Sequence, residues 1–223
     1  MPIVSITIDD SIKAAWPSAC LGCMTYTVEV RPESRELWAY YEDNTATSLR
    51  QRLAATELAE MPQIGEARAA YKAFGIDPGR HRIASEALYR RIRQGKALYQ
   101  INSLVDVNNV VSLETGFSLG SYDTSRIGPD VVFRLGRAGE SYPGIGKASV
   151  PLLNMPLLSD GAGPFGSPTS DSTRGMTTPE TKEGLTVLYS FSGSEALASA
   201  LEQAERQFIS FAGIIAVRTW TVD

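Results

Sequence analysis

Between Ile101 and Glu140 the spacing of hydrophobic positions changes from a helical to an extended period within a short span. Leu104, Val107 and Val111 recur at helical intervals, while Asn108, Ser112 and Thr115 line another face. Asp106 is placed to cap an early turn, and Gly116 to stop the helix in a left-handed conformation. Tyr122 and Asp123 then fall in a tight polar connection ahead of Gly128-Pro129, and a strand over 130–135 opens at Val131-Val132-Phe133. Polar side chains thus flank a sharply turned helix-to-strand link, where a site is expected because loops held by rigid elements carry function.

The same reading extends along the chain. Residues 3–8 read as a strand, Asp9-Asp10-Ser11 as the start of a helical turn to Ala15, and residues 19–30 as a second strand. Pro32-Glu33-Ser34 open a helical region with Leu37, Trp38 and Tyr41 on one side. A helix over about 47–60 puts Leu49, Leu53 and Ala54 on one stripe. After Pro62, Ile64, Ala67, Tyr71 and Phe74 repeat at helical spacing up to the Gly75–Gly79 stop. Ser85-Glu86 begin a helix through Gln94 that buries Leu88 and Ile92 and turns Tyr89, Arg90 and Arg93 outward or sideways.

Residues 141–158 hold apolar pieces broken by prolines and glycines, so strands there are short or at edges. Residues 159–181 are rich in Gly, Pro, Ser and Thr, a structureless insertion of the binding-loop or disordered kind. A strand at 185–191, a helix from the Ser194 cap to about Phe211, a stop at Gly213 and a strand over 214–222 complete the chain. Strands and helices mix without strict alternation, which predicts an α+β fold.

Composition narrows the class. The chain has 223 residues, 43% hydrophobic and 21% charged, enough for a substantial core. No apolar run approaches the ~18–20 residues that cross a bilayer. The N-terminal MPIVSITIDDS has no basic region ahead of its apolar part, so it reads as a first strand rather than a leader, and the cytoplasm is the expected location. Cys20 and Cys23 form a C-x-x-C pair, but the segment reads as a strand that points them to opposite faces. With His81 as the one histidine, a closed metal site lacks ligands. The reading is buried structural cysteines, no metal and no cofactor; the oligomeric state stays open.

Net charge is −4, yet the segment from Arg80 to Lys96 carries six bases and one acid, Glu86. Arg80, Arg82, Arg90, Arg93 and Lys96 are the candidate contacts to a polyanion; the plainer alternative is a solvated helix face.

The run VDVNNVVSLETGFSLGSYDTSRI, the strand VVFRL with GRAGE after it, and the later STRGMTTPET resemble the editing domain of the phenylalanyl-tRNA synthetase beta subunit, the B-three/four module. The segment Ser85–Arg91 is similar to the helix preceding that module in freestanding relatives. The resemblance is close over about residues 80–190. It implies a layered β/β/α sandwich with barrel-like mixed sheets flanked by helices, residues 1–223 forming one such domain with 1–79 as an N-terminal strand-and-helix elaboration. It also implies a pocket that takes the aminoacyl end of a tRNA and hydrolyses a wrongly attached amino acid, without ligase activity.

Residue by residue, Asn109 matches the family's pocket asparagine and Asp106 the aspartate before it. Gly120 stands where the synthetase has a histidine. Thr173 falls where its loop glutamate reads a tyrosine hydroxyl, with Asp171 nearby. The resemblance makes Asn109, Ser172 and Thr173 the catalytic candidates, and Asp106, Ser112, Gly120, Tyr122, Asp171, Arg174 and Thr178 the substrate-binding ones. Three readings follow: a trans-editing aminoacyl-tRNA hydrolase, a non-catalytic module that keeps the pocket for RNA or an amino-acid-like ligand, or a fold in which Asn109 and Asp106 only satisfy backbone groups.

Overall fold

The computed structural model describes residues 3–223. Strand β1 (Ser5–Ile8) leads into α1 (Asp10–Ala15), capped by Asp9, whose carboxylate accepts from Ser11 N at 2.9 Å. Strand β2 (Cys20–Thr27) follows. Helix α2 (Arg35–Tyr40) begins at the Ser34 cap and passes through a π turn, Tyr41–Ala46, into α3 (Thr47–Ala55). That helix ends before residue 60 because Thr56 turns extended; Leu58–Glu60 form a separate 3₁₀ turn, and Ala54 is exposed.

Helix α4 (Pro62–Ala73) buries Ile64, Ala67 and Tyr71, with Phe74 at its cap. In α5 (Ala84–Arg93) the buried stripe is rotated from the expected one. Tyr89 is buried, donating its hydroxyl to Leu113 O at 2.7 Å, while Leu88 is half-buried. Glu86 lies on this same buried face, paired with Arg68 and Arg90.

After α6 (Ser103–Thr115), stopped at Gly116 with φ of 84°, the expected polar connection is instead a strand, β3 (Ser118–Asp123). Strand β4 (Asp130–Leu135) is followed by the short β5 (Ser141–Tyr142) and β6 (Val150–Pro151). Then come β7 (Pro156–Asp160), β8 (Gly163–Gly166) and β9 (Glu183–Ser190). Helix α7 (Glu195–Gln207) runs into a second π turn, Phe208–Ala212, stops at Gly213 and gives way to β10 (Ile215–Val222). Ser194 precedes α7 without making a side-chain cap bond.

Two four-stranded sheets result, ordered β1-β4-β7-β8 and β10-β2-β9-β3; β5 and β6 pair separately. The first is mixed, β1 lying parallel to β4; the second is antiparallel throughout. Strand β7 therefore lies inside its sheet, which Pro156 tolerates at the first strand position. The sheets stack face to face through Phe133 against Tyr189 (ring centroids 5.7 Å) and Tyr122 against Phe165 (5.0 Å). Helices cover the other face of the second sheet, where Tyr26 of β2 meets Phe208. This is the β/β/α sandwich, with both sheets open rather than closed into a barrel.

Strands β1 and β2, from the N-terminal elaboration, are integrated into the two sheets. Strand β2, buried on both faces, carries Cys20 and Cys23 as unbonded buried thiols. Among the described residues no helix is long and apolar enough to cross a membrane, and no group of three or more His, Cys, Asp or Glu side chains is gathered as metal ligands.

Candidate functional site

Helix α6 fixes one wall of a cavity of about 630 Å³. Its start is set by Asn102, whose Oδ1 accepts from Val105 N at 3.0 Å, and by Asp106, whose Oδ1 accepts from Ile101 N at 2.8 Å. With Leu104, Val107 and Val111 buried in the core, the stripe Val105, Asn108, Asn109 and Ser112, spaced three and four apart, faces the cavity. The opposite wall is β3. Strand alternation turns Leu119 and Ser121 to the cavity, and Gly120 and Tyr122 toward the other sheet.

The two neighbouring asparagines differ in what they hold. Asn108 is tied to β3, donating to Leu119 O at 3.3 Å and accepting from Ser121 Oγ at 3.1 Å. Asn109 is half-buried and lines the cavity, and its side chain makes no hydrogen bond to any described residue. Its amide is free for a ligand.

The third wall comes from the segment after β8. The expected structureless insertion is ordered: it forms β8, bridges Tyr122 through Met176 and Gly144 through Ser172, and buries Ser167, Ser172 and Thr181. Thr181 Oγ1 donates to Asp123 Oδ2 at 2.7 Å and accepts from Thr178 N at 2.9 Å, which seats Met176, Thr177 and Thr178 along the cavity. At the mouth stand Arg31, which is engaged with Phe211 O, and the exposed Ile101 and Ile145.

Asp171 supplies the acid of the cavity. Its Oδ1 accepts from Tyr122 Oη at 2.8 Å and from Ser167 N at 3.0 Å. Its Oδ2 takes no hydrogen bond from a described residue and is not sealed off from the cavity space. Burial pushes its carboxyl up to about 6, against the pull of the Tyr122 and Ser167 hydrogen bonds.

The cavity thus gathers Asn109, Ser112, Asp171 and Thr178 among the sequence candidates. The others lie elsewhere. Asp106 is fully buried behind the helix start, its second oxygen unpaired and its carboxyl raised by burial. Tyr122 is fully buried under the sheet, and Gly120 lies beneath its ring: a Cβ at 120 would come within 2.1 Å of the phenol oxygen. A histidine has no room there.

Ser172 is buried, accepting from Arg174 N at 3.1 Å, and Thr173 reaches only Pro143 O. Arg174, a candidate for binding a phosphate or carboxylate, is spent on a bidentate pair with the buried Asp160, at 2.9 Å for both contacts. Ser121 and Arg31 are cavity residues that the sequence reading did not single out, and Asn108 is one that it set on a polar helix face but not among the site candidates. The i, i+3, i+4, i+7 stripe on α6 was the signal that pointed to Asn108.

The basic segment is partly neutralised. Arg80 faces Asp77, Arg90 pairs with Glu86, and Arg93 donates to Leu53 O and pairs with Glu57. Arg91 stacks on Tyr99 with its guanidinium 3.7 Å from the ring centroid. Arg82 and Lys96 are exposed and make no ion pair among the described residues.

Against known proteins, the model of the B3/4 domain family matches residues 66–208. Among solved structures the chain is similar to an N-terminal fragment of the phenylalanyl-tRNA synthetase beta-subunit from Pyrococcus horikoshii, at 13% identity and a TM-score of 0.46. The match covers 98% of this chain and 50% of that one, so the chain spans half the length of that relative. No curated protein matches.

Proposed function

The chain belongs to the B3/4 domain family, and from that premise we propose that its cavity receives the aminoacyl end of a tRNA and hydrolyses the ester of a wrongly attached amino acid. The observation that supports this is the pairing, in one largely apolar cavity, of the unengaged Asn109 amide with the half-engaged Asp171 carboxylate. The apolar lining, Leu88, Val105, Leu119 and Met176 among it, suits an amino-acid side chain. Asn109 donates to the ester carbonyl, where a fixed donor is worth most as negative charge develops. Arg82 and Lys96, which are exposed and make no ion pair among the described residues, and Arg31 at the mouth are offered to tRNA phosphates. Ser172 and Arg174 are given no chemical role, since each is committed to the fold, and Thr173 is given none because it does not line the cavity.

A second reading, a binding module without chemistry, is favoured by one feature. The position of the family's histidine is closed here by the Tyr122 ring over Gly120. Offering the full chain tRNAs mischarged with tyrosine, serine or alanine, and following release of the amino acid, separates the two. Release above the spontaneous rate for at least one of them is expected. Binding without release would leave only the module.

A further inference from the structure

The segment Ser167–Asp171 is held by the hydroxyls of buried tyrosines from four elements. Tyr71 of α4 bonds Thr169 Oγ1 at 2.8 Å. Tyr142 of β5 donates to Ser170 O and lies 3.3 Å from Ser167 Oγ. Tyr122 of β3 donates to Asp171 Oδ1. Tyr189 of β9 lies 2.6 Å from Tyr122 Oη. Since Tyr122 has a single proton and gives it to the carboxylate, Tyr189 must donate to Tyr122, so the two phenols form a one-way relay ending on Asp171.

Room for that relay is made by missing side chains. A Cβ at Gly120 or Gly166 would fall 2.1 or 2.2 Å from Tyr122 Oη. The phenol therefore has one seat, and the carboxylate it holds has one orientation, with Oδ1 bound inward and Oδ2 left to the cavity. Among the described residues no cation pairs with Asp171. The titratable groups around it are Tyr122, Tyr142 and Tyr189, and Arg31, the other charged side chain of the lining, is engaged with Phe211 O at the mouth.

We propose that Asp171 is the proton acceptor that activates water in this cavity and that Tyr122 is the positioning residue that aims it, an assignment that rests on the ester-hydrolase reading. Asp171 Oδ2 takes a proton from water as the water oxygen bonds to the ester carbonyl carbon. The tetrahedral intermediate then collapses with cleavage of the bond from that carbon to the ribose oxygen, which leaves with the proton from Oδ2. The amino acid is released, the tRNA regains its hydroxyl and Asp171 returns ionised. A carboxylate lifted toward neutrality by burial is suited to this exchange, because it is ionised at pH 7 yet basic enough to hold the proton.

The test is single-turnover deacylation by the full chain from pH 5 to 8.5, with spontaneous hydrolysis subtracted, of whichever tRNA charged with tyrosine, serine or alanine it hydrolyses fastest. Wild type should rise through about pH 6 and level off. D171N keeps the acceptor for Tyr122 and Ser167 N but not the base, and should fall by roughly 10²–10⁴-fold with the inflection lost. Y122F keeps the carboxylate and removes a hydrogen bond that favours its ionised form, so the inflection should move to higher pH. A merely structural tyrosine would lower the rate without moving it. Cooperative melting of both variants confirms that they fold. D171N within twofold of an active wild type, with the same inflection, overturns the assignment and leaves the hydrolase reading standing. A wild type inactive on every mischarged tRNA overturns both.

Discussion

An ionised Asp171 costs the fold free energy that protonation returns. Its folded carboxyl lies at about 6, above the 3.8 expected unfolded, so between those values the native state binds more protons than the unfolded one. Stability therefore falls as pH rises through that window and stays lower above it, the reverse of a carboxylate held by a salt bridge. The gap corresponds to at most about 3 kcal/mol. D171N should accordingly raise the melting temperature at pH 7.5, with the gain vanishing below about pH 4; a variant equally stable or weaker at pH 7.5 would refute the cost. A site residue that weakens the fold is the pattern of a functional group rather than a structural one. Asn109 and Asp171 entered as candidates through the motifs that resemble the B-three/four module. Asp171's particular setting could not be read there, because its partners Tyr122 and Tyr189 are remote in sequence and meet it only across the sandwich.

Among elements, the polar segment after β8 shows why a loop-like sequence folds into a fixed wall. Arg174 closes it onto the first sheet, forking onto Asp160 of β7 and donating to Gly163 O. Asp160 is fully buried and also accepts from Gly128 N and Ala162 N. Replacing Arg174 by alanine strands that carboxylate. The loss should fall at the lower end of the ~3–5 kcal/mol typical of a broken buried pair, since two backbone donors remain. Urea unfolding would measure it, and a change under 1 kcal/mol would contradict the structure.

Helices with clear punctuation, such as α4 between Pro62 and Gly75 and α6 with its stop at Gly116, are legible because those signals are local. Strand β3 is not. Ser-Leu-Gly-Ser-Tyr-Asp carries turn residues, and it becomes a strand only because β9 pairs with it and Gly120 leaves space for Tyr122. Proline at 156 likewise hid an interior strand.

At the scale of the whole molecule, the local excess of positive charge from Arg80 to Lys96 is smaller than residue counting suggests, because Arg80 and Arg93 face carboxylates from outside the segment. Counting charges within the segment could not show that Asp77 and Glu57 sit against it. Of the three cations that remain, Arg91 is held against Tyr99 and Ala97 O, so Arg82 and Lys96 should carry the salt dependence of the proposed tRNA binding. Changing both to alanine is expected to lower the slope of log K against log salt by about 1.5, from ~0.7–0.9 per phosphate contact. R93A should leave the slope alone and lower stability through its lost bonds to Leu53 O and Glu57. Equal slopes for wild type and the double variant would remove this surface from tRNA recognition.

The order β10-β2-β9-β3 has a consequence for how the chain is made. Strand β2 leaves the ribosome well before its partners, since both its neighbours lie beyond Lys182. At 5–20 residues per second, the sticky CLGCMTYT segment waits on the order of ten seconds or more for its partners. Through that interval its two thiols and its open edges are accessible to oxidants and to other nascent chains. Yield during expression should thus depend on translation speed and on chaperone holding more than on the stability of the finished fold.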